Sequence, residues 1–127
     1  MGTYIGVYNK NNELILWVSK NDILGAKLSE IYNVPNSAYY DEASKAVKEV
    51  VEKLFIKDID NLIDSLERDR ESNEKSFLAK LAFDKTLDST IYRDEMDYLF
   101  ELSETLGKAL LLNRIILDNN GVYLQVS

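Results

Sequence analysis

A chain of 127 residues, 46% hydrophobic and 29% charged, is long enough for one domain (1–127) that buries its core without disulfides or a metal. It has no cysteine and no histidine, which excludes thiol catalysis and thiolate zinc sites and removes the commonest general base and transition-metal ligand. Its net charge of −7 disfavours direct binding to nucleic acid or to an anionic membrane, and favours a basic protein partner.

Residues 3–8 (TYIGVY) alternate and are rich in β-branched and aromatic types, and 13–19 hold the apolar run LILWV. With NKNNE between them as turn chemistry, they predict a β-hairpin. Ser19 or Asn21 is placed to cap a helix over 22–32, with Ile23, Leu24, Ala26, Leu28 and Ile31 on its inner face and Gly25 as a weak point. The only proline, Pro35, pushes Val34 out of helical geometry and ends that helix.

Over 41–70 the apolar residues recur at helical spacing, from Val47 through Leu54 and Ile59 to Leu66. A straight helix of that length would measure about 45 Å, so a bend or break is expected around 57–60. RDRESNEK is a loop candidate, with Asn73 as cap of a short helix that turns Phe77, Leu78 and Leu81 inward; FDKTLDST is the next connection.

Residues 90–106 predict a helix with two unlike faces, capped by Ser89 or Thr90. Tyr92, Met96, Leu99 and Leu106 form a core-facing stripe broken by Ser103. Asp94, Asp97, Glu101 and Glu104 form a carboxylate ladder about 15 Å long on another side. Acids one turn apart repel by a few tenths of a kcal/mol per pair, so the ladder costs the helix something. Most of the negative charge gathers here, seven acids against two bases over 84–104. Gly107 reads as the terminator; ALLLNRIIL, then DNNG, then VYLQV predict a second hairpin turning at Asn120-Gly121, although the pattern over 108–113 also admits continued helix to Leu112.

The expected fold is α+β: an antiparallel sheet of N- and C-terminal hairpins, termini side by side, with four or five inserted helices packed on one face. No apolar run approaches the roughly 18 residues that span a bilayer, and the N-terminus lacks signal-peptide character, which predicts a cytoplasmic protein. Metal and phosphate motifs are weak. Asp118-Asn119-Asn120-Gly121 lacks the remaining ligands of a calcium loop, Asp58 and Asp60 diverge by about 200° on a helix, and GTYIG matches no phosphate loop. No cofactor is expected.

A rigid row of carboxylates spaced like phosphates can occupy a basic groove, and this needs no catalytic residue. The expected function is therefore a non-enzymatic inhibitor or regulator of a basic, nucleic-acid-binding type of partner, by analogy with phage-encoded inhibitors of host defence. Its expected contact residues are Asp94, Asp97, Glu101 and Glu104, extended by Asp84 and Asp88, with Tyr39 and Tyr40 as an interface pair. The bland alternative is a solvated helix face whose first acids meet the positive helix end. Two further classes compete: a small-molecule sensor or enzyme subunit with a pocket between sheet and helices lined by Tyr4, Tyr8, Trp17 and Tyr123, and a structural homo-oligomer.

Overall fold

A computed structural model describes residues 3–49, 52–83 and 89–127. The first hairpin forms as expected, β1 (Tyr4–Tyr8) against β2 (Leu14–Ser19). Asn9 organises its turn, the side-chain Oδ1 accepting the N–H groups of Asn11 and Glu13 at 3.0 and 2.9 Å, while Asn12 takes a φ of 65°. A bulge between Val7 and Tyr8 shifts the register.

Helix α1 (Ile23–Tyr32) starts from Asp22 rather than from Ser19 or Asn21, and Asp22 makes no side-chain cap bond. It ends before the proline, at Asn33, whose left-handed backbone lets its N–H reach the Ser29 carbonyl at 3.0 Å. The proline loop then runs along the last strand: Pro35 accepts the N–H of Val126, and Ser37 donates to the Val126 carbonyl.

The helix expected from residue 41 is replaced by strands. β3 (Ala38–Asp41) and β4 (Ala46–Glu49) form a separate two-stranded hairpin, and β5 (Leu54–Ile56) follows. The local reason is turn chemistry at Asp41, whose carboxylate accepts the Ala43 N–H and the Ser44 hydroxyl, both at 3.1 Å, before Lys45 at φ 53°. Val47 is exposed, so it was never a core position of a helix.

The break expected at 57–60 is real, and α2 (Asp60–Phe83) begins there. It runs straight through RDRESNEK, which is helix and not loop. Asn73 caps nothing; its Nδ2 donates to the Asp69 carbonyl within the helix, and Lys75 pairs with Glu71 one turn earlier. Charged residues of this kind are good helix formers, and a helix with solvent around it can be polar on most sides. The FDKTLDST connection falls largely on 84–88, outside the described residues.

The last helix, α3 (Ser89–Asp118), passes Gly107 without stopping, so ALLLNRIIL is helical and the second terminal hairpin does not exist. Leu102, Leu106, Ala109, Leu112 and Ile116 form one buried stripe at steps of three and four, which outweighs a single glycine. Asn120 and Gly121 do adopt positive φ, 54° and 105°, but they close the helix: Gly121 donates to the Ile116 carbonyl and Asn120 to that of Leu117. A single strand, β6 (Val122–Val126), follows.

The described chain is thus α+β with a four-stranded antiparallel sheet ordered β2-β1-β6-β5 and three helices, in place of the expected four or five. The terminal strands β1 and β6 lie side by side. Ile5, Val7, Val18, Val122, Leu124 and Val126 point from the sheet into one core with Leu28, Leu62, Leu66, Leu106, Leu112 and Ile116 from the helices. No described helix is long and apolar enough to cross a membrane.

Candidate functional site

Helices α2 and α3 run antiparallel for about 36 and 45 Å. At one end Asn113 of α3 meets Ile59 and Asp60; at the other, Lys80 pairs with Glu95, and the rings of Phe77 and Tyr92 lie 5.5 Å apart. Helix α1 touches α2 as far along as Asp69, which bridges Lys27 at 2.8 Å. Past that point the main core stops, and Phe77 and Leu102 are buried outside it. The two helices continue as an arm.

The ladder lies on this arm. Asp94, Asp97, Glu101 and Glu104 are all exposed, as expected for a row on one side of α3. Its two ends differ in their surroundings. Asp94 borders a cleft with Asn73, Ser76 and Lys80, and Glu104 pairs with Lys108 at 3.5 Å. The middle, Asp97 and Glu101, makes no ion pair among the described residues, and by helical spacing Tyr98 and Phe100 project on either side of it, the latter 65% exposed.

Of the expected apolar stripe, Leu106 is buried, Met96 and Leu99 are half-buried, and Tyr92 stays exposed beside Phe77. Two buried positions were missed. Leu102 completes the stripe, and Thr105 is buried with its hydroxyl donating to the Glu101 carbonyl at 2.7 Å. Phe77, Leu81, Tyr92, Met96, Leu99 and Phe100 line an open groove of about 410 Å³ along the arm. Leu78 is exposed, not turned inward as the short-helix reading required.

Asp84 and Asp88 lie outside the described residues. Tyr39 and Tyr40 fall in β3, opposite Lys48 and Val47, with their side chains outside the description. Tyr4, Tyr8, Trp17 and Tyr123 share the sheet face away from the helices; Trp17 also borders a cleft of about 260 Å³ between β2 and the helices, with Leu24, Lys108, Leu111 and Ile115, while Tyr4, Tyr8 and Tyr123 are not among its lining residues. Among the described residues no three acidic side chains converge into a metal site, and Asp118 to Gly121 are the end of α3 rather than an ion loop.

Comparison of the chain with protein-family models, curated proteins and solved structures finds no match. The site stands on its own geometry.

Proposed function

We propose that the chain is a non-enzymatic protein-binding regulator or inhibitor that docks the distal α2–α3 arm on a basic partner. One observation carries this reading: beyond Asp69 no third layer covers the arm among the described residues, yet it displays Tyr98 and Phe100 on either side of the row that holds Asp97 and Glu101, two carboxylates with no described ion pair. Apolar side chains on a surface with no layer to cover them cost hydration free energy, and a partner removes that cost. The acids choose the partner's sign. Carboxylates one helical turn apart, about 5 Å, approach the spacing of nucleic-acid phosphates, which supports a nucleic-acid-binding protein as the target class.

Neither the row of acids nor the groove needs a catalytic group, in keeping with a chain that has no histidine or cysteine. The test is affinity capture from the native host's lysate at low and high salt, with D97N/E101Q and F100A variants as controls. One stoichiometric basic partner, lost with salt and weakened by both variants, is the expected result. Capture that ignores all three changes would overturn the arm as the docking surface. A mass well above 14.6 kDa for the isolated chain, abolished by F100A, would assign the arm to self-association instead.

A further inference from the structure

Water-facing sheet surfaces are ordinarily polar, and the outer face of this one is aromatic. The alternation that sends Ile5, Val7, Val18 and Leu124 into the core leaves Tyr4, Trp17, Phe55 and Tyr123 on the opposite side. Trp17, the only tryptophan, is 64% exposed and its ring lies 6.2 Å from that of Tyr4. The Phe55 and Tyr123 rings meet at 5.0 Å. Gly6 sits between Trp17 on one neighbouring strand and Gln125 on the other, and the Tyr8 ring lies over it; a Cβ at Gly6 would come within 2.7 Å of that ring.

Two lysines join this platform. The Lys53 ammonium stands 3.6 Å from the centre of the Tyr8 ring and donates to Asn12 Oδ1, and the Lys10 ammonium lies 5.9 Å from the centre of the Phe55 ring. Both line a recess of about 350 Å³ with Asn9, Asn12 and Tyr123. Neither makes an ion pair among the described residues, although Glu13 and Glu52 are exposed close by in the chain. Trp17 is one strand spacing from Gly6, above which the Tyr8 ring and then Lys53 follow, so the indole and the Lys53 ammonium lie within about 10 Å.

Free aromatic faces within that reach of the Lys53 ammonium, with Lys10 lining the same recess as Lys53, complement a planar ring carrying an anion. We infer that the outer sheet face binds a nucleoside phosphate, its base stacked on Trp17 and Tyr4 and its phosphate held by Lys53 and Lys10. Two lysines match one or two phosphates, and the net charge of −7 repels a long strand, so the unit recognised is a nucleotide, free or within a short single strand. This site is independent of the arm and stands or falls without it.

Trp17 is itself the reporter. Its fluorescence, excited selectively, is titrated with adenosine monophosphate and separately with a short oligothymidylate, at low and at physiological salt. Saturable quenching is expected from at least one of them. Equal affinity per nucleotide identifies a free nucleotide as the ligand, and tighter binding of the oligomer identifies a strand. K10Q/K53Q is expected to weaken binding about tenfold, with K10R/K53R restoring it. Absence of saturable quenching by both probes would overturn the inference. So would saturable quenching that K10Q/K53Q leaves unchanged, since the phosphate would then not be held by these lysines.

Discussion

Asn113 of α3 secures the start of α2 through Ile59: its Oδ1 accepts the Ile59 N–H at 3.0 Å, while its Nδ2 donates to Asp60 Oδ1 at 3.3 Å. Ile59 is fully buried, and its carbonyl accepts the N–H of Ile63, so it stands at the boundary where β5 gives way to helix. An N–H at that boundary has no intrahelical partner. Asn113→Ala should cost about 1–2 kcal/mol, because a buried donor loses its acceptor. The measurement is a denaturant midpoint at unchanged slope. A midpoint equal to the parent's would mean that the Asn113 contact does not stabilise the fold.

Two helical glycines make opposite predictions. A Cβ on Gly25 would fall 1.9 Å from the Ser19 carbonyl oxygen, so α1 packs on the end of β2 only because that position is bare. Gly25→Ala gains up to about 1 kcal/mol of helix propensity, but the backbone clash outweighs it, for a net loss of about 2 kcal/mol or more. A Cβ on Gly107 meets nothing within 4 Å. Gly107→Ala should therefore stabilise by about 0.5–1 kcal/mol. Thermal unfolding of the pair decides it; a Gly107→Ala variant that loses stability would argue that α3 does not continue through this residue.

These two glycines also show where sequence stops being legible. Gly25 reads as a weak helix residue and Gly107 as a terminator, yet what decides each is whether another element approaches, which no local pattern contains. The first hairpin, α1 and the adjacency of the terminal strands were legible because alternation, a helical face and turn residues are local signals. Residues 41–56 were not, since Val47, Leu54 and Phe55 also satisfy helical spacing, and β5 is three residues long with its partner β6 nearly seventy residues away. Asn120-Gly121 supplies positive φ to a hairpin and to a helix end alike, so it could not choose between them. For the site, the exposure of the four ladder acids was legible from periodicity. The pairing of Glu104 with Lys108 was available at helical spacing, whereas Lys80 beside Glu95, and an arm with no third layer among the described residues, required the tertiary structure.

Tyr32 ties stability to alkaline pH. Its hydroxyl is buried without a well-formed hydrogen bond, and burial raises its pKa above the usual 10.0, with Asp58 and Asp60 adding to the rise and the Leu62 backbone opposing it. The folded state therefore holds the proton more tightly than the unfolded one. Tyr32 contributes its full share below pH 10 and loses it as pH climbs from there through the folded pKa. Tyr32→Phe removes that loss: its stability should fall less steeply than the parent's above pH 10, and near neutrality it should match or exceed the parent, since an unpaired buried hydroxyl is removed. Denaturation midpoints across that range give both answers. Parallel curves for the two proteins would show that Tyr32 titrates alike folded and unfolded.

The ladder acids make the prediction that separates surface from scaffold. Asp97 and Glu101 sit one turn apart on an exposed face with no cation on either among the described residues, so they repel each other. D97N/E101Q should leave the far-ultraviolet spectrum unchanged and raise stability by a few tenths of a kcal/mol. The same variant should slow association with the captured basic partner, and the difference from the parent should shrink as salt screens the field, while dissociation changes less. E104Q is the internal contrast: it removes the Lys108 pair, worth about 0.3–0.5 kcal/mol in a helix, and so should be neutral or slightly destabilising. Stopped-flow association at two salt concentrations, beside denaturant melts of the three proteins, measures all of this. An association rate that D97N/E101Q leaves unchanged at low salt would reduce the ladder to a solvated helix face, and Phe100 with its groove would be left to bind on apolar contact alone.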